Sequence, residues 1–378
     1  MKKKIIRTTT VPASFNLLQG QLEFLNKYYE IKGASSPIGN HIQNISKREG
    51  IYIEPIEITR RINPIKDLKS LFKLYQFFRK EKPFIVHSIT PKAGLLSMVA
   101  AYFARVPNRI HTFTGLIFPT KTGLSKKVLI FTDKVLCFCA TKIFPEGNGV
   151  KNDLINYRIT SKPLKVIANG NINGIDPDHF NPNLFEINLK KTLKKELKID
   201  EEDIVFIFIG RLVGDKGINE LVEAFSRLNR IYSNTKLLLV GDFEEELDPL
   251  REETILEIKT NKNIVFTEWV DDVRPYLSIS NVLTFPSYRE GFPNVVLQAG
   301  AMGLPSIVTN INGSNEIIQE GKNGTIIPAK SMSALYDKMS DFYTKKIAYS
   351  NIQCRELVTS RYNRQLVWNA ILEEYKKL

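Results

Sequence analysis

Short apolar runs recur along this chain, each followed by a longer stretch in which apolar residues return every three or four positions. The runs read as strands and the longer stretches as helices, and their alternation predicts an α/β fold of doubly wound parallel sheets. In the first half the predicted strands are 4–9, 83–87, 109–113, 141–145 and 164–168. In the second half they are 204–209, 236–240, 263–267, 281–285, 305–309 and 324–327. The unbroken runs IVFIFIG and KLLLVG have the pattern of strands buried on both faces. The helix Asp67 to Lys82 carries Leu68, Leu71, Phe72, Tyr75 and Phe78 at helical spacing, which predicts core packing. Residues 360–378 are helical by period with no strand after them, and are expected to pack back on the first domain.

A chain of 378 residues exceeds what one core usually supports, so two domains are expected. The segment ANGNINGIDPDHFNP, rich in Asn, Gly and Pro, marks the change between them. The expected division is 1–168 with about 360–378, a hinge at 169–200, and 201–359. No run approaches the ~18 apolar residues of a spanning helix, and Met1 to Arg7 reads as the start of a strand and not as a leader. Cys137, Cys139 and Cys354 form neither a disulfide framework nor a zinc pattern. Together these features predict a cytoplasmic protein.

Charge divides unevenly. The formal net charge is +13, yet residues 1–180 hold 28 Lys+Arg against 12 Asp+Glu, or +16, and residues 181–378 hold 25 against 28, or −3. A basic first half suits nucleic acid, an anionic membrane or a phosphorylated substrate. No motif of the common nucleic-acid modules occurs, which disfavours the first. The loop GLIFPTKTGLSKK sets Leu116, Ile117 and Phe118 beside Lys121, Lys126 and Lys127. That loop and the helix after it, VLIFTDKVLCFCATKIF, are the expected contact with an anionic membrane surface; the loop carries the expectation, because Val128 to Phe138 also reads as a buried core helix.

Ligands of open α/β sheets bind at the carboxyl ends of the strands. After strand 204–209 comes Gly210-Arg211-Leu-Val-Gly-Asp-Lys216-Gly, a glycine-rich loop with two cations. After strand 281–285 comes PSYREGFPNVVLQAG, where Asn294 can cap a helix and Gln298 faces the same cleft as Glu290. Two cations, a carboxylate, an amide and a helix N-terminus suit a diphosphate flanked by hydroxylated groups, as in a nucleotide sugar. Glu290 could instead pair with Arg289. Asp176-Pro-Asp178 reads as turn chemistry and not as a metal clamp, and Asp271-Asp272 as a helix cap. No metal or cofactor is expected. His87 and His111 read most simply as hydrogen-bonded histidines at strand ends.

Taken together, GRLVGDKGINEL, REGFPNVVLQAGAMGLPSIVT and NGNINGID resemble glycosyltransferase family 4, the retaining nucleotide-sugar transferases of the GT-B fold. In the first half, SFNLLQGQLEFL, HSITPKAGLLSMVAAYFARVPNRIHTFTGLIFPT and PEGNGVKNDL resemble the bacterial branch that adds N-acetylated sugars to undecaprenyl-linked precursors of capsule, O-antigen or glycan. The resemblance implies two Rossmann-like domains facing a cleft and a metal-independent hexosyltransferase at the inner face of the cytoplasmic membrane. Its implied substrates are a UDP-sugar and a polyprenyl-diphosphate-linked acceptor. It further implies that Arg211 and Lys216 bind the donor diphosphate and that Glu290 contacts the donor sugar. Gly210, Gly291, Phe292, Pro293 and Asn294 complete the donor site, and Gln298 stands where the family's second Glu grips the ribose. Asn16, His87, Lys92, His111 and Thr114 are the acceptor-side candidates, Thr114 replacing a histidine of many relatives. The alternative reading is a UDP-sugar-binding protein, or a UDP-sugar epimerase of the same fold.

Overall fold

The computed structural model describes residues 2–59, 63–244 and 248–378. The chain forms two compact units, Met1–Gly174 with Arg364–Leu378, and Ile175–Asn363. Each is built on a parallel six-stranded sheet.

The first sheet contains β1 (Lys4–Thr8), β2 (Glu30–Ser35), β3 (Tyr52–Pro55), β4 (Ile85–Ser88), β5 (Asn108–Phe113) and β6 (Lys142–Pro145), ordered β3-β2-β1-β4-β5-β6. The second contains β7 (Ile204–Ile209), β8 (Thr235–Val240), β9 (Ile264–Phe266), β10 (Val282–Phe285), β11 (Ser306–Thr309) and β12 (Gly324–Ile327), ordered β12-β11-β10-β7-β8-β9. Both sheets share one winding. The chain starts at a central strand, runs to one edge, then returns to the centre and runs to the other. The direction reverses between β1 and β4 in the first sheet and between β7 and β10 in the second, and such a switch point opens a crevice outside the strand ends.

The sequence misses β2 and β3 because neither is a continuous apolar run, and β3, at the sheet edge, alternates buried Ile53 with exposed Tyr52. Residues 164–168 are not a strand. A single bridge joins Leu164 to Ile143, and Ala168 adopts a left-handed φ of 48° that ends any extended run. The six strands of the second half all form, each within a residue of expectation at either end.

Two helices present faces other than those expected. Pro64–Glu81, capped where Asn63 accepts from Lys66 N at 3.1 Å, buries Ser70, Leu74, Phe77 and Phe78, but leaves Leu68 67% and Phe72 58% exposed. Its core face is centred on Leu74, so the stripe through Leu68 and Phe72 lies outside. Gly123–Cys139 buries Leu136, Cys137 and Cys139 and leaves Leu124, Val128, Phe131 and Phe138 exposed. The preceding loop is reversed from expectation: Leu116 and Phe118 are buried, Phe118 edge-on to Tyr157 at 4.8 Å, and only Ile117 of the three is exposed.

The terminal helix Arg364–Lys376 lies in the first unit, where Ile371, Leu372 and Tyr375 join the core formed by Ile5, Ile31, Ile85 and Ile110 on one sheet face. Gly20, at φ 77°, leaves room for its Trp368: a Cβ there would stand 2.9 Å from the indole. No helix among the described residues is long and apolar enough to cross a membrane.

Candidate active site

The switch point of the second sheet positions the two loops singled out by sequence. Strand β7 carries a nearly unbroken apolar run buried on both faces, and the polar loop starts where it leaves the sheet. That loop closes at Gly217, whose φ is 73° and whose Cβ, if present, would meet Pro286 O at 2.2 Å. Only glycine lets the loops after β7 and β10 approach this closely. Gly313, at φ 75°, does the same on the other side, where a Cβ would be 2.5 Å from Gly291 O.

This approach brings Lys216 and Glu290, distant in sequence, into an ion pair in which both side chains are largely buried. Ser287 Oγ donates to Glu290 Oε1 at 2.8 Å, fixing the carboxylate, and the Lys216 ammonium stands 5.6 Å from the Phe285 ring centre. Thr309 Oγ1 donates to Ser287 O and braces the turn. Glu290 therefore does not pair with Arg289, which instead meets Asp215 at 2.8 Å. Arg211, more exposed, pairs with Glu244 after β8. The Tyr288 hydroxyl donates to Glu220 at 2.6 Å, and burial with that carboxylate pushes its pKa well above the ordinary phenol value.

Gly210 leaves β7 at φ 148°, and Gly241 packs on its carbonyl, where a Cβ would stand at 2.1 Å. Gly291, Phe292 and Pro293 are buried, with Phe292 edge-on to Tyr362 at 5.4 Å. The helix begins at Asn294 itself, with Pro293 in the extended position before it, so Asn294 is the first helical residue and not the cap. Gln298 is half-buried on this helix. Ser287, Gly313 and Glu244 were not legible as site residues. Only the acidic run containing Glu244 carried a local signal.

The first unit holds the remaining candidates at scattered positions. His87 is buried, with Nδ1 2.5 Å from the Tyr375 hydroxyl and Nε2 2.8 Å from Thr112 Oγ1. Burial, helped by the nearby charges of Arg7 and His111, holds its pKa well below the usual value. His111, equally buried, meets Ser88 Oγ at 2.8 Å through Nδ1, and burial lowers its pKa to about 3. Both are internal hydrogen-bonding groups, and neither ring is presented to a ligand. Lys92 bonds Asp67 at 2.7 Å and Thr59 at 3.0 Å, Thr114 Oγ1 donates to Ile89 O at 2.9 Å, and exposed Asn16 accepts from Arg48 at 2.8 Å.

The aspartate pairs behave as local chemistry. Asp176 Oδ1 accepts from Asp178 N at 3.1 Å and His179 N at 3.3 Å, the geometry of a turn. Asp272 accepts from Arg274 N at 3.0 Å at the start of the helix Arg274–Ser278, although Val273 holds the cap position. Among the described residues no three His, Cys, Asp or Glu side chains converge as a metal site.

Comparison with known proteins completes the picture. Residues 14–145 match the family described as glycosyl transferase 4-like, and residues 190–356 that of glycosyl transferases group 1. The chain is 32% identical over 376 residues to the capsular polysaccharide biosynthesis glycosyltransferase CapM of Staphylococcus aureus, covering 99% of this chain and 97% of that protein. It is 30% identical over 312 residues to the UDP-Gal:alpha-D-GlcNAc-diphosphoundecaprenol alpha-1,3-galactosyltransferase of Escherichia coli, covering 81% and 78%. The fold superposes on Anabaena Alr3699/HepE in complex with UDP-glucose with a TM-score of 0.82 at 17% identity, covering 100% of both chains. A near full-length relative at this identity and two identically wound parallel sheets lead to one assignment: the chain belongs to the GT-B glycosyltransferases.

Proposed function

We propose that this glycosyltransferase moves a sugar, an N-acetylated hexosamine, from a UDP donor to an undecaprenyl-diphosphate-linked saccharide, with retention of configuration. The observation that carries the reading is the union of Lys216 and Glu290 at the switch point, with Arg211 on the same loop. The names of the two curated relatives support the setting, capsule synthesis in one and a diphosphoundecaprenol acceptor in the other. The N-acetylated donor rests on the motifs of the first half.

Chemically, the site is suited to leaving-group departure. As the bond from sugar C1 to the diphosphate oxygen lengthens, negative charge grows on the phosphates, and Lys216 and Arg211 stabilise it more than they stabilise the bound donor. Glu290, released from Lys216 by the incoming diphosphate, is free to accept hydrogen bonds from sugar hydroxyls. For retention, the acceptor oxygen bonds C1 on the face the diphosphate leaves, and its proton passes to a phosphate oxygen of the departing UDP. The two side-chain cations supply the counter-charge, so no metal enters this scheme.

A polyprenyl acceptor calls for membrane contact, and the first unit offers a surface for it. On the helix Gly123–Cys139, exposed Leu124, Val128, Phe131 and Phe138 and half-buried Val135 form a stripe at spacings of four and three, with exposed Lys127 and Lys134 on the same helix. Exposed Tyr102 extends the stripe, 5.9 Å from Phe138 between ring centres. Apolar side chains at an interface flanked by lysines fit an anionic bilayer.

The test is mass spectrometry of products from a panel of UDP-sugars, with and without a polyprenyl-diphosphate saccharide, for the native protein and Lys216→Ala. The expected result is acceptor-dependent glycoside from an N-acetylhexosamine donor, with kcat at least about tenfold lower in the variant, since a cation on developing charge typically contributes more than ~1.4 kcal/mol. Unchanged kcat removes Lys216 from the site, and an isomerised donor without acceptor overturns the transferase reading.

A further inference from the structure

The cationic loop after β7 is met near each end by an aspartate from beyond β8. After β8 the chain runs Asp242-Phe243-Glu244-Glu-Glu-Leu-Asp248. At one end Leu212 N donates to Asp242 O at 2.8 Å, Leu212 and Phe243 form a parallel bridge, and Phe243 packs on Phe266 at 4.9 Å. At the other end Asp248 accepts from Gly214 N at 3.2 Å through its carbonyl and from Asp215 N at 2.6 Å through Oδ2. Both anchors engage backbone N–H groups of the loop that carries Arg211 and Lys216. Glu244 is therefore held beside Arg211 by the path of its own strand end, and does not reach it by chance from elsewhere.

The two ion pairs differ in what a donor would do to them. Glu290, once parted from Lys216, has sugar hydroxyls to accept from. Glu244 has no such second use at a diphosphate, because a carboxylate beside phosphate oxygens only repels them.

We propose that Glu244 is an internal competitor of the nucleoside diphosphate: its carboxylate occupies the Arg211 guanidinium until the diphosphate displaces it, and so sets how tightly donor and product are held. The proposal rests on the reading of Arg211 as a diphosphate ligand. As UDP leaves after transfer, the same carboxylate recloses on Arg211 and weakens the hold on product.

The experiment is calorimetric titration of UDP into the native protein, Glu244→Gln, Arg211→Ala and the double variant. Each exposed ion pair of this kind is worth a fraction of a kcal/mol to about one, so Glu244→Gln is expected to tighten UDP about threefold. Arg211→Ala weakens UDP, and in that background Glu244→Gln brings no further gain. An unchanged or weaker affinity in Glu244→Gln overturns the proposal, as does an equal gain with and without Arg211, which would mark a general field effect. Should Arg211→Ala alone bind UDP like the native protein, the diphosphate assignment of Arg211 fails, and the competitor role fails with it.

Discussion

Glu290 could be named from the chain alone, but its partner could not. Two cations, adjacent Arg289 and sequence-distant Lys216, compete for its carboxylate, and the adjacent residue loses because Asp215 captures it at 2.8 Å. The winner is chosen by Gly217, whose missing Cβ lets the two loops touch. Gln298 raises a related question at the same scale. Its amide can accept from one ribose hydroxyl, but a neutral bond is typically about half as strong as a charge-assisted one. Gln298→Glu is expected to keep UDP affinity or raise it by up to about fivefold, as read by titration. Loss of binding in a variant that remains folded would refute the ribose assignment.

At the scale of elements, period told which helices exist but not which face is covered. The helix Gly123–Cys139 has apolar residues on more than one side, and its buried residues Leu136, Cys137 and Cys139 leave the Leu124–Phe131–Phe138 stripe open. In the loop before it Leu116 and Phe118 went inward, Phe118 against Tyr157, while Ile117 stayed exposed. Lys126 is drawn to the same Tyr157, 4.8 Å from its ring centre, which leaves Lys127 and Lys134 as the outward charges. Vesicle flotation tests the surface. The native protein should float with anionic vesicles at low salt and less at high salt, since each lysine gains roughly 1 kcal/mol from anionic lipid and salt screens that gain. Phe131→Ser with Lys127→Glu should float poorly. Equal flotation with neutral and anionic vesicles, or no loss in the variant, removes this helix from the membrane contact.

At the scale of the whole molecule, the first unit is completed by residues from the end of the chain. The Tyr375 hydroxyl accepts from Arg7 at 2.9 Å and shares a hydrogen bond with His87 Nδ1, whose Nε2 lies 2.8 Å from Thr112 Oγ1. Burial favours the neutral form of His87. Its pKa in the folded chain is lowered mainly by burial, below the 6.5 of a free imidazole. Below that pH the unfolded chain takes up a proton that the folded chain refuses, so stability present above pH 6.5 falls as pH drops, by ~1.4 kcal/mol per pH unit for each such group. His111, lowered to about 3, adds the same sign. Thermal midpoints measured from pH 7 to 5 should therefore fall less steeply in His87→Gln than in the native protein. Equal slopes would exclude His87 from the acid sensitivity.

The sequence by itself determined the α/β class, the second half's six strands and the two loops that bear Arg211, Lys216 and Glu290. These are local quantities: a run such as IVFIFI encodes a buried parallel strand wherever it occurs, and glycine-rich loops follow it within a few residues. Tertiary structure alone decided the partners of the charges, the open faces of Pro64–Glu81 and Gly123–Cys139, the strands β2 and β3, and the pairing of Tyr375 with His87. Each of these depends on which distant segment arrives alongside. Hydrophobic periodicity says how much surface must be covered, whereas the neighbour that covers it, and the counter-charge that reaches a cation first, are fixed only when the sheet is wound.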